Sequence, residues 1–161
     1  MKTQSGFTLI ETIIYIALFS LIMSGAVVGM YTLFESTAHN NSEAQLEEEG
    51  NYLSQKIDWY LSQVKTIQSP PTSGGVLSII QNDGSTVTID TRSGNLRIQI
   101  NSDDPVVLNN SNVSVRNLAF VRDSTIDGVE SISVSFVLTT TTSHGQTLSK
   151  IVTATQYIST V

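Results

Sequence analysis

The stretch SGFTLIETIIYIALFSLIMSGAVVGMYTLF occupies residues 5–34 and decides the fold of the N-terminal part of the chain. It contains one charged side chain, Glu11, which is followed by residues 12–34 without an Asp, Glu, Lys, Arg or His. At about 1.5 Å per residue, a helix over those residues would be roughly 34 Å long, enough to cross a bilayer core of about 30 Å. The sequence therefore predicts a transmembrane helix with a carboxylate at its entrance.

A cleaved secretory signal peptide is the main alternative for this segment. Such a peptide has an apolar region of about 7–15 residues followed by a small-residue cleavage site. Residues 24–26 are the only weak candidates for that site, and the apolar run continues past them. Lys2 precedes the span and acidic residues crowd its other side, which favours an N-terminus in the cytoplasm and an exported remainder. The sequence thus favours a single-pass anchor in the cytoplasmic membrane.

Two residues near the start of the helix each allow two interpretations. Gly6 is either a plain spacer, with Thr8 as a competing N-cap, or a residue whose missing side chain lets an enzyme approach the backbone. Glu11 either extends its carboxylate to the lipid headgroups or has a specific partner, because an ionisable group inside a bilayer is costly. The residues around them favour the second interpretation of each.

The sequence GFTLIE at residues 6–11 follows a very short leader with one lysine and precedes an unbroken apolar helix. In these features residues 1–34 resemble type IV prepilins and type II secretion pseudopilins. The resemblance implies that a membrane-embedded aspartic prepilin peptidase cleaves between Gly6 and Phe7, and that the new N-terminus at Phe7 is methylated. It also implies that Glu11 assists entry into a filament.

Cleavage after Gly6 would have an electrostatic consequence for Glu11. It removes Lys2 and creates an α-ammonium group on Phe7, one helical turn from Glu11. A buried carboxylate that is paired with an ammonium group is much less costly than a carboxylate left alone. The partner of Glu11 is therefore expected to arise from processing, on the same chain or on a neighbour.

Beyond the apolar run the pattern changes to that of an amphipathic helix. Apolar residues recur at helical spacing between Gln, Glu, Lys and Asp, which predicts that the helix continues over residues 35–69. Residues 39–42 are poor helix formers and predict a kink or a looser join between the two halves of the helix. Two prolines then end the helix, and residues 70–75 are expected to form a flexible linker.

The C-terminal part is expected to be a head domain in which the helix packs on an antiparallel β-sheet. Turn residues separate short segments of alternating apolar residues. The predicted strands are residues 76–80, 86–90, 96–100, 106–108, 113–121, 131–138 and 148–157. The alternation slips at Arg116 and Asn117, which predicts a bulge or a division of that strand. The predicted fold class is α+β, with the long N-terminal helix and antiparallel sheet that the resemblance to pilins also implies.

The predicted organisation follows from these boundaries. It consists of a leader, a transmembrane or filament-core helix, the amphipathic half of the same helix, a linker and a β head. These segments are residues 1–6, 7–34, 35–69, 70–75 and 76–161.

The rest of the sequence offers no catalytic or metal-binding pattern. There is no cysteine, and neither His39 nor His144 has a second ligand at metal-binding spacing. Residues 103–104, and Asp123 with Asp127, offer oxygens to calcium but lack the spacing of an EF-hand loop. The net charge is -6, without the basic stripe that binds phosphates. We therefore predict no enzyme activity, no cofactor, no metal site and no direct nucleic-acid binding.

Three consecutive glutamates at residues 47–49 predict a solvated face of the helix. In a filament this face would meet basic residues of a neighbour. The candidate partners are Arg92, Arg97, Arg116 and Arg122, and nothing in the sequence pairs them.

These features predict a structural assembly subunit, a minor pilin or pseudopilin, of a type IV pilus-like or type II secretion-like filament. Many major pilins close a C-terminal loop with a cysteine pair, which this chain lacks. The expected partners are prepilin peptidase, other pilin or pseudopilin subunits, the cytoplasmic membrane and the assembly machinery, and the filament would be periplasmic or on the cell surface. The alternative is a membrane-tethered binding module with an exported β-rich head, which would need no processing.

Overall fold

A computed structural model of the chain describes residues 8–124, 129–142 and 145–159. Within these ranges one helix is followed by a series of strands. The elements are α1 (Leu9–Leu61), β1 (Val64–Ser69), β2 (Ser73–Gly74), β3 (Leu77–Gln81), β4 (Thr86–Arg92), β5 (Asn95–Ile100), β6 (Val106–Val107), β7 (Val113–Ser124), β8 (Val129–Thr141) and β9 (Thr147–Ser159). The chain divides between Asn40 and Asn41 into two compact units, and α1 contributes to both.

The first unit contains the apolar part of α1. Thr8 caps the helix, because its Oγ1 accepts a hydrogen bond from the backbone N–H of Glu11 at 3.4 Å. The large apolar side chains of residues 9–34 are exposed. By length and composition α1 is able to cross a membrane, as predicted for residues 12–34. The helix continues through residues 39–42, where the sequence predicts a kink or a looser join between its two halves.

In the second unit α1 buries one stripe of side chains, as its amphipathic pattern predicts. The buried residues of this stripe are Leu46, Gly50, Leu53, Ile57 and Leu61. Gly50 permits a close approach of the helix to the strands β8 and β9. A Cβ atom built at Gly50 would lie 3.1 Å from Cγ2 of Val152 and 3.4 Å from Cδ1 of Leu138. The helix therefore packs directly on these two strands at this point.

The helix ends at Leu61, so the prediction that it continues to residue 69 is wrong. The chain forms β1 instead, which pairs with β3 in antiparallel orientation. Val64 and Ile67 are both buried, and their spacing of three fits either a helix or an irregular strand. Shifts of register on both sides of Thr66 and Ile67 turn both apolar side chains to the core. Strand pairing thereby buries the residues that the helical pattern assigned to α1.

The strands form two antiparallel sheets that share a core with the second half of α1. The five-stranded sheet has the order β1-β3-β4-β5-β6, and the four-stranded sheet has the order β2-β7-β8-β9. The predicted meander is confirmed as β3, β4 and β5. Residues 70–75 are not wholly a linker, because Ser73 and Gly74 pair with Val121 and Phe120 of β7. The predicted α+β class is confirmed, with the head strands divided between two sheets.

The β-bulge predicted at Arg116 and Asn117 is confirmed. Arg116 pairs with Val137 and Ala119 pairs with Ser135, so β7 has one residue more than β8 between these pairs. Asn117 has a φ of 53°, in the left-handed region that asparagine tolerates better than most residues. The bulge leaves Arg116 exposed at the point where the face of the strand changes.

Asp58 carries a buried polar atom that its surroundings do not satisfy. Its Oδ1 atom has no hydrogen-bond partner among the residues that the structure describes. Burial raises the pKa of the Asp58 carboxyl above its ordinary value of 3.8. A group whose pKa is raised in the folded state contributes most to stability below its unfolded pKa. Its contribution declines as the pH rises through the folded pKa.

Replacing Asp58 with Asn is expected to raise the free energy of unfolding by about 0.5 kcal/mol or less at about pH 7, because the partly buried carboxylate loses its charge while solvent already screens much of its cost. The gain should disappear at about pH 3, where the carboxyl is protonated in both states. Urea titrations of the full chain in non-ionic detergent at the two pH values measure the difference. Asp104→Asn, at an exposed position, is the matched control. A gain of equal size at both pH values would contradict an electrostatic origin.

Candidate functional site

The first turns of α1 bring the side chains of Thr8, Glu11 and Tyr15 together. Besides the cap that Thr8 provides, the hydroxyl of Tyr15 donates a hydrogen bond to Oε1 of Glu11 at 3.2 Å. Residues four apart lie on the same face of a helix, so this contact needs no distortion of the backbone. The carboxylate is thereby held by a donor from the next turn.

This contact explains part of how a carboxylate is tolerated at the entrance of an apolar helix. A hydroxyl that donates to an ionised carboxylate replaces one of the hydrogen bonds lost with water. Oε2 of Glu11 accepts no hydrogen bond from the described part of the chain. Among the described residues, Tyr15 is thus the donor to the Glu11 carboxylate.

Gly6 and Phe7, the predicted cleavage and methylation sites, lie outside the described residues. Glu11, the predicted assembly residue, lies in the first turn of α1. The roles assigned to these three residues stay predictions.

Sequence reasoning overlooked Tyr15 as part of this site. Tyr15 was treated only as part of the apolar run. The signal that identifies it is its spacing of four from Glu11, which places a hydroxyl next to a carboxylate on a helix. The same spacing would have found the contact without a structure.

The same segment matches a known family. Residues 1–27 match the prokaryotic N-terminal methylation motif, and the predicted resemblance to prepilins is confirmed. The match and the long apolar helix are consistent with the type IV pilin and pseudopilin family, and they support a pilin-like precursor that is processed at its N-terminus.

The motif also bears on partners and location. It implies processing by prepilin peptidase and assembly with other pilins. The motif and the apolar helix together fit membrane anchoring, and they suggest a structural subunit rather than an enzyme. Comparisons with curated proteins and with solved structures find no match.

Four of the seven glutamates and arginines that the sequence singled out for contacts with a neighbour have partners within the second unit. The ion pairs are Arg97 with Asp90 at 2.6 Å, Arg122 with Glu130 at 2.6 Å, and Lys150 with Glu47 at 3.2 Å. Glu49 accepts a hydrogen bond from the backbone N–H of Asn110 at 2.7 Å. Among the described residues, Arg92, Arg116 and Glu48 have no such partner. These three are therefore the charges of this group that the described residues leave uncompensated.

The residues considered as metal ligands do not converge where the structure describes them. In residues 8–124, 129–142 and 145–159, no three His, Cys, Asp or Glu side chains are placed to hold one metal ion. Asp103 and Asp104 are exposed in the segment before β6. His144 and Asp127 lie outside these ranges.

Proposed function

We propose that the chain is a minor pilin or pseudopilin, a structural subunit of a type IV pilus-like or type II secretion-like filament. The observation that carries the proposal is the coincidence of the methylation motif at residues 1–27 with an unbroken helix that has Glu11 in its first turn. Before processing, α1 anchors the chain in the cytoplasmic membrane with its N-terminus in the cytoplasm and its head exported. After processing, the apolar half of α1 enters the filament core.

Processing supplies a cation close to the carboxylate of Glu11. Prepilin peptidase cleaves between Gly6 and Phe7, which removes Lys2 and leaves an α-ammonium group on Phe7. That group is methylated and keeps its positive charge. It lies within about one helical turn of Glu11 on the same chain, and it is equally able to meet Glu11 of a neighbouring subunit.

Apolar packing alone would not fix the position of one subunit along another. The large apolar side chains of residues 9–34 are exposed, so many registers bury similar apolar areas. Pairing of the Glu11 carboxylate of one chain with the Phe7 ammonium group of a neighbour favours the register in which the two groups meet, because that register adds a charge-assisted contact between subunits that other registers lack. Tyr15 supports this role by holding Oε1 of Glu11.

A membrane-tethered binding module is the second candidate, and processing separates the two. A simple anchor needs no cleavage after Gly6 and keeps Lys2. A filament subunit needs the cleavage, because the leader would otherwise place a second charge in the filament core. The state of the N-terminus in assembled material therefore distinguishes them.

The mature protein is expected to begin at Phe7 and to carry one added methyl group. The reason is that the junction of Gly6 and Phe7 lies between the charged leader and the apolar run. Mass spectrometry of the filament or membrane fraction from the native host measures both changes. Deletion of the host's prepilin peptidase is the control and should restore residues 1–6. Intact Met1 in assembled filaments, or cleavage near Ala26, would contradict the proposal.

A further inference from the structure

A polar concavity lies on the second unit, where the four-stranded sheet meets the helix. Its volume is about 560 Å³, within the range of about 300–1,000 Å³ that small-ligand sites occupy. Three consecutive threonines at the end of β8, residues 139–141, contribute to its lining. The start of β7, the start of β9 and the segment of α1 around residues 42–45 provide the rest. The lining consists of hydroxyls, amides and one guanidinium group.

Many of these polar groups are not used by the fold. Hydroxyls of Thr139 and Thr140 donate to backbone carbonyls of Ser114 and Asn112 at 3.3 Å and 2.9 Å, which leaves their lone pairs as acceptors. Six further side chains of the lining have no hydrogen bond or ion pair within the described parts of the chain. They are Gln45, Asn112, Ser114, Arg116, Thr141 and Thr147. The concavity is therefore lined by polar groups that can still donate or accept hydrogen bonds.

Arg116 differs from the other arginines of this sheet region. Arg122, on the same strand, forms an ion pair with Glu130 at 2.6 Å. Arg116 is exposed and has no acidic partner among the described residues. It directly precedes the β-bulge at Asn117, and bulges commonly redirect side chains at binding sites. The concavity thus contains an uncompensated, bidentate donor for an anion.

We propose that this concavity binds an acidic saccharide, with Arg116 holding a sugar carboxylate and the surrounding hydroxyls and amides holding sugar hydroxyls. A carboxylated sugar presents one planar anion among several groups that both donate and accept hydrogen bonds. The lining offers the matching set, because threonine and serine hydroxyls donate and accept, and asparagine and glutamine amides do both. No aromatic ring lines the concavity, so the specificity rests on polar contacts.

A carboxylate of a second copy is the competing occupant of this site. Glu48 is exposed and unpaired among the described residues, and it would satisfy Arg116. Such a contact uses the guanidinium group alone and leaves the hydroxyls and amides without partners. The saccharide accounts for the whole lining, and the two occupants predict different outcomes in one experiment.

The test uses the full chain in non-ionic detergent, so that it does not depend on processing or filament assembly. The probes are tetragalacturonate, tetramannuronate and the carboxyl-reduced form of each, which has a primary alcohol in place of each carboxylate. Isothermal titration calorimetry measures affinity, and sedimentation velocity measures self-association. Arg116→Gln is the test variant. Arg92→Gln is the matched control, because Arg92 is exposed, lies outside the concavity and has no ion-pair partner among the described residues.

We expect at least one acidic tetramer to bind with a Kd below about 1 mM, and its reduced form to bind at least about tenfold more weakly. Arg116→Gln should weaken binding of the acidic form by about ten- to a hundredfold, as expected for loss of a charge-assisted contact. Arg92→Gln should leave it unchanged.

Four outcomes would overturn the proposal. The first is that neither acidic tetramer binds, and the second is that the reduced tetramers bind as tightly as the acidic ones. The third is that Arg116→Gln and Arg92→Gln lose equal affinity. The fourth is that no saccharide binds and the chain instead self-associates in a way that both Arg116→Gln and Glu48→Gln abolish.

Discussion

Replacing Glu11 with Leu is expected to suppress incorporation into filaments while leaving the chain in the membrane at its normal level. The substitution makes the span more apolar, so insertion of α1 should not suffer. In the filament, however, the α-ammonium group of Phe7 would be buried without a partner. An unpaired buried charge costs about 3–5 kcal/mol, which corresponds to a loss of more than about a hundredfold in incorporation.

The measurement compares processing, membrane level and filament content of the wild type and Glu11→Leu in the native host. Glu35→Leu is the matched control, because it removes a carboxylate at the opposite end of the apolar run and should assemble normally. Tyr15→Phe removes only the donor to Oε1 and should cause a smaller loss, about two- to tenfold, as one hydrogen bond of this kind predicts. Equal incorporation of Glu11→Leu and wild type at equal membrane levels would assign Glu11 to the membrane interface alone.

The parts of the molecule that the sequence predicts well are those in which one local pattern has one structural solution. A long run without charges specifies an apolar helix whatever surrounds it. Thr8 was considered only as a competing cap, and the structure shows that its hydroxyl accepts a hydrogen bond from the backbone N–H of Glu11. The bulge at Arg116 was visible as a break in alternation. The exposed and buried faces of a strand exchange at such a break, and this requires an extra residue.

The parts that were missed depend on partners distant in the chain. Residues 64–69 have apolar side chains at a spacing that suits a helix, and only the open edge of β3 makes a strand the better solution. The division of the head into two sheets was also missed, because the alternation of residues within a strand does not specify which strands pair. The unpaired state of Arg116 was equally hidden, since it depends on where the acidic residues of other strands lie.

Gly50→Leu is expected to destabilise the head strongly, because the stripe of α1 has no space for a side chain at this position. A Cβ alone would lie 3.1 Å from Cγ2 of Val152, and the further carbons of leucine would enter the volume of Val152 and Leu138. Overpacking of this kind costs about 1–3 kcal/mol and occasionally more. Leucine also favours a helix over glycine by about 0.8 kcal/mol, so the measured loss is what remains after this gain.

Gly29→Leu provides the matched control, because it gives α1 the same gain in helix propensity at a position where nothing lies within 4 Å of the new Cβ. Urea titrations of the full chain in detergent, followed by the fluorescence of Trp59, report on the head because this is the single tryptophan of the chain. Gly50→Leu should unfold at a clearly lower urea concentration than wild type, whereas Gly29→Leu should not.

Gly50→Ala separates the two effects, since its methyl group requires Cγ2 of Val152 to move by only a few tenths of an ångström. The strain from the alanine methyl group is smaller, and a gain in helix propensity of about 1 kcal/mol over glycine opposes it. The urea midpoint of Gly50→Ala should therefore stay near that of wild type. If Gly50→Leu and Gly29→Leu unfold at the same urea concentration, α1 does not pack on β8 and β9 as closely as described, and the amphipathic half of the helix is held to the head by Leu53 and Ile57 without the contact at Gly50.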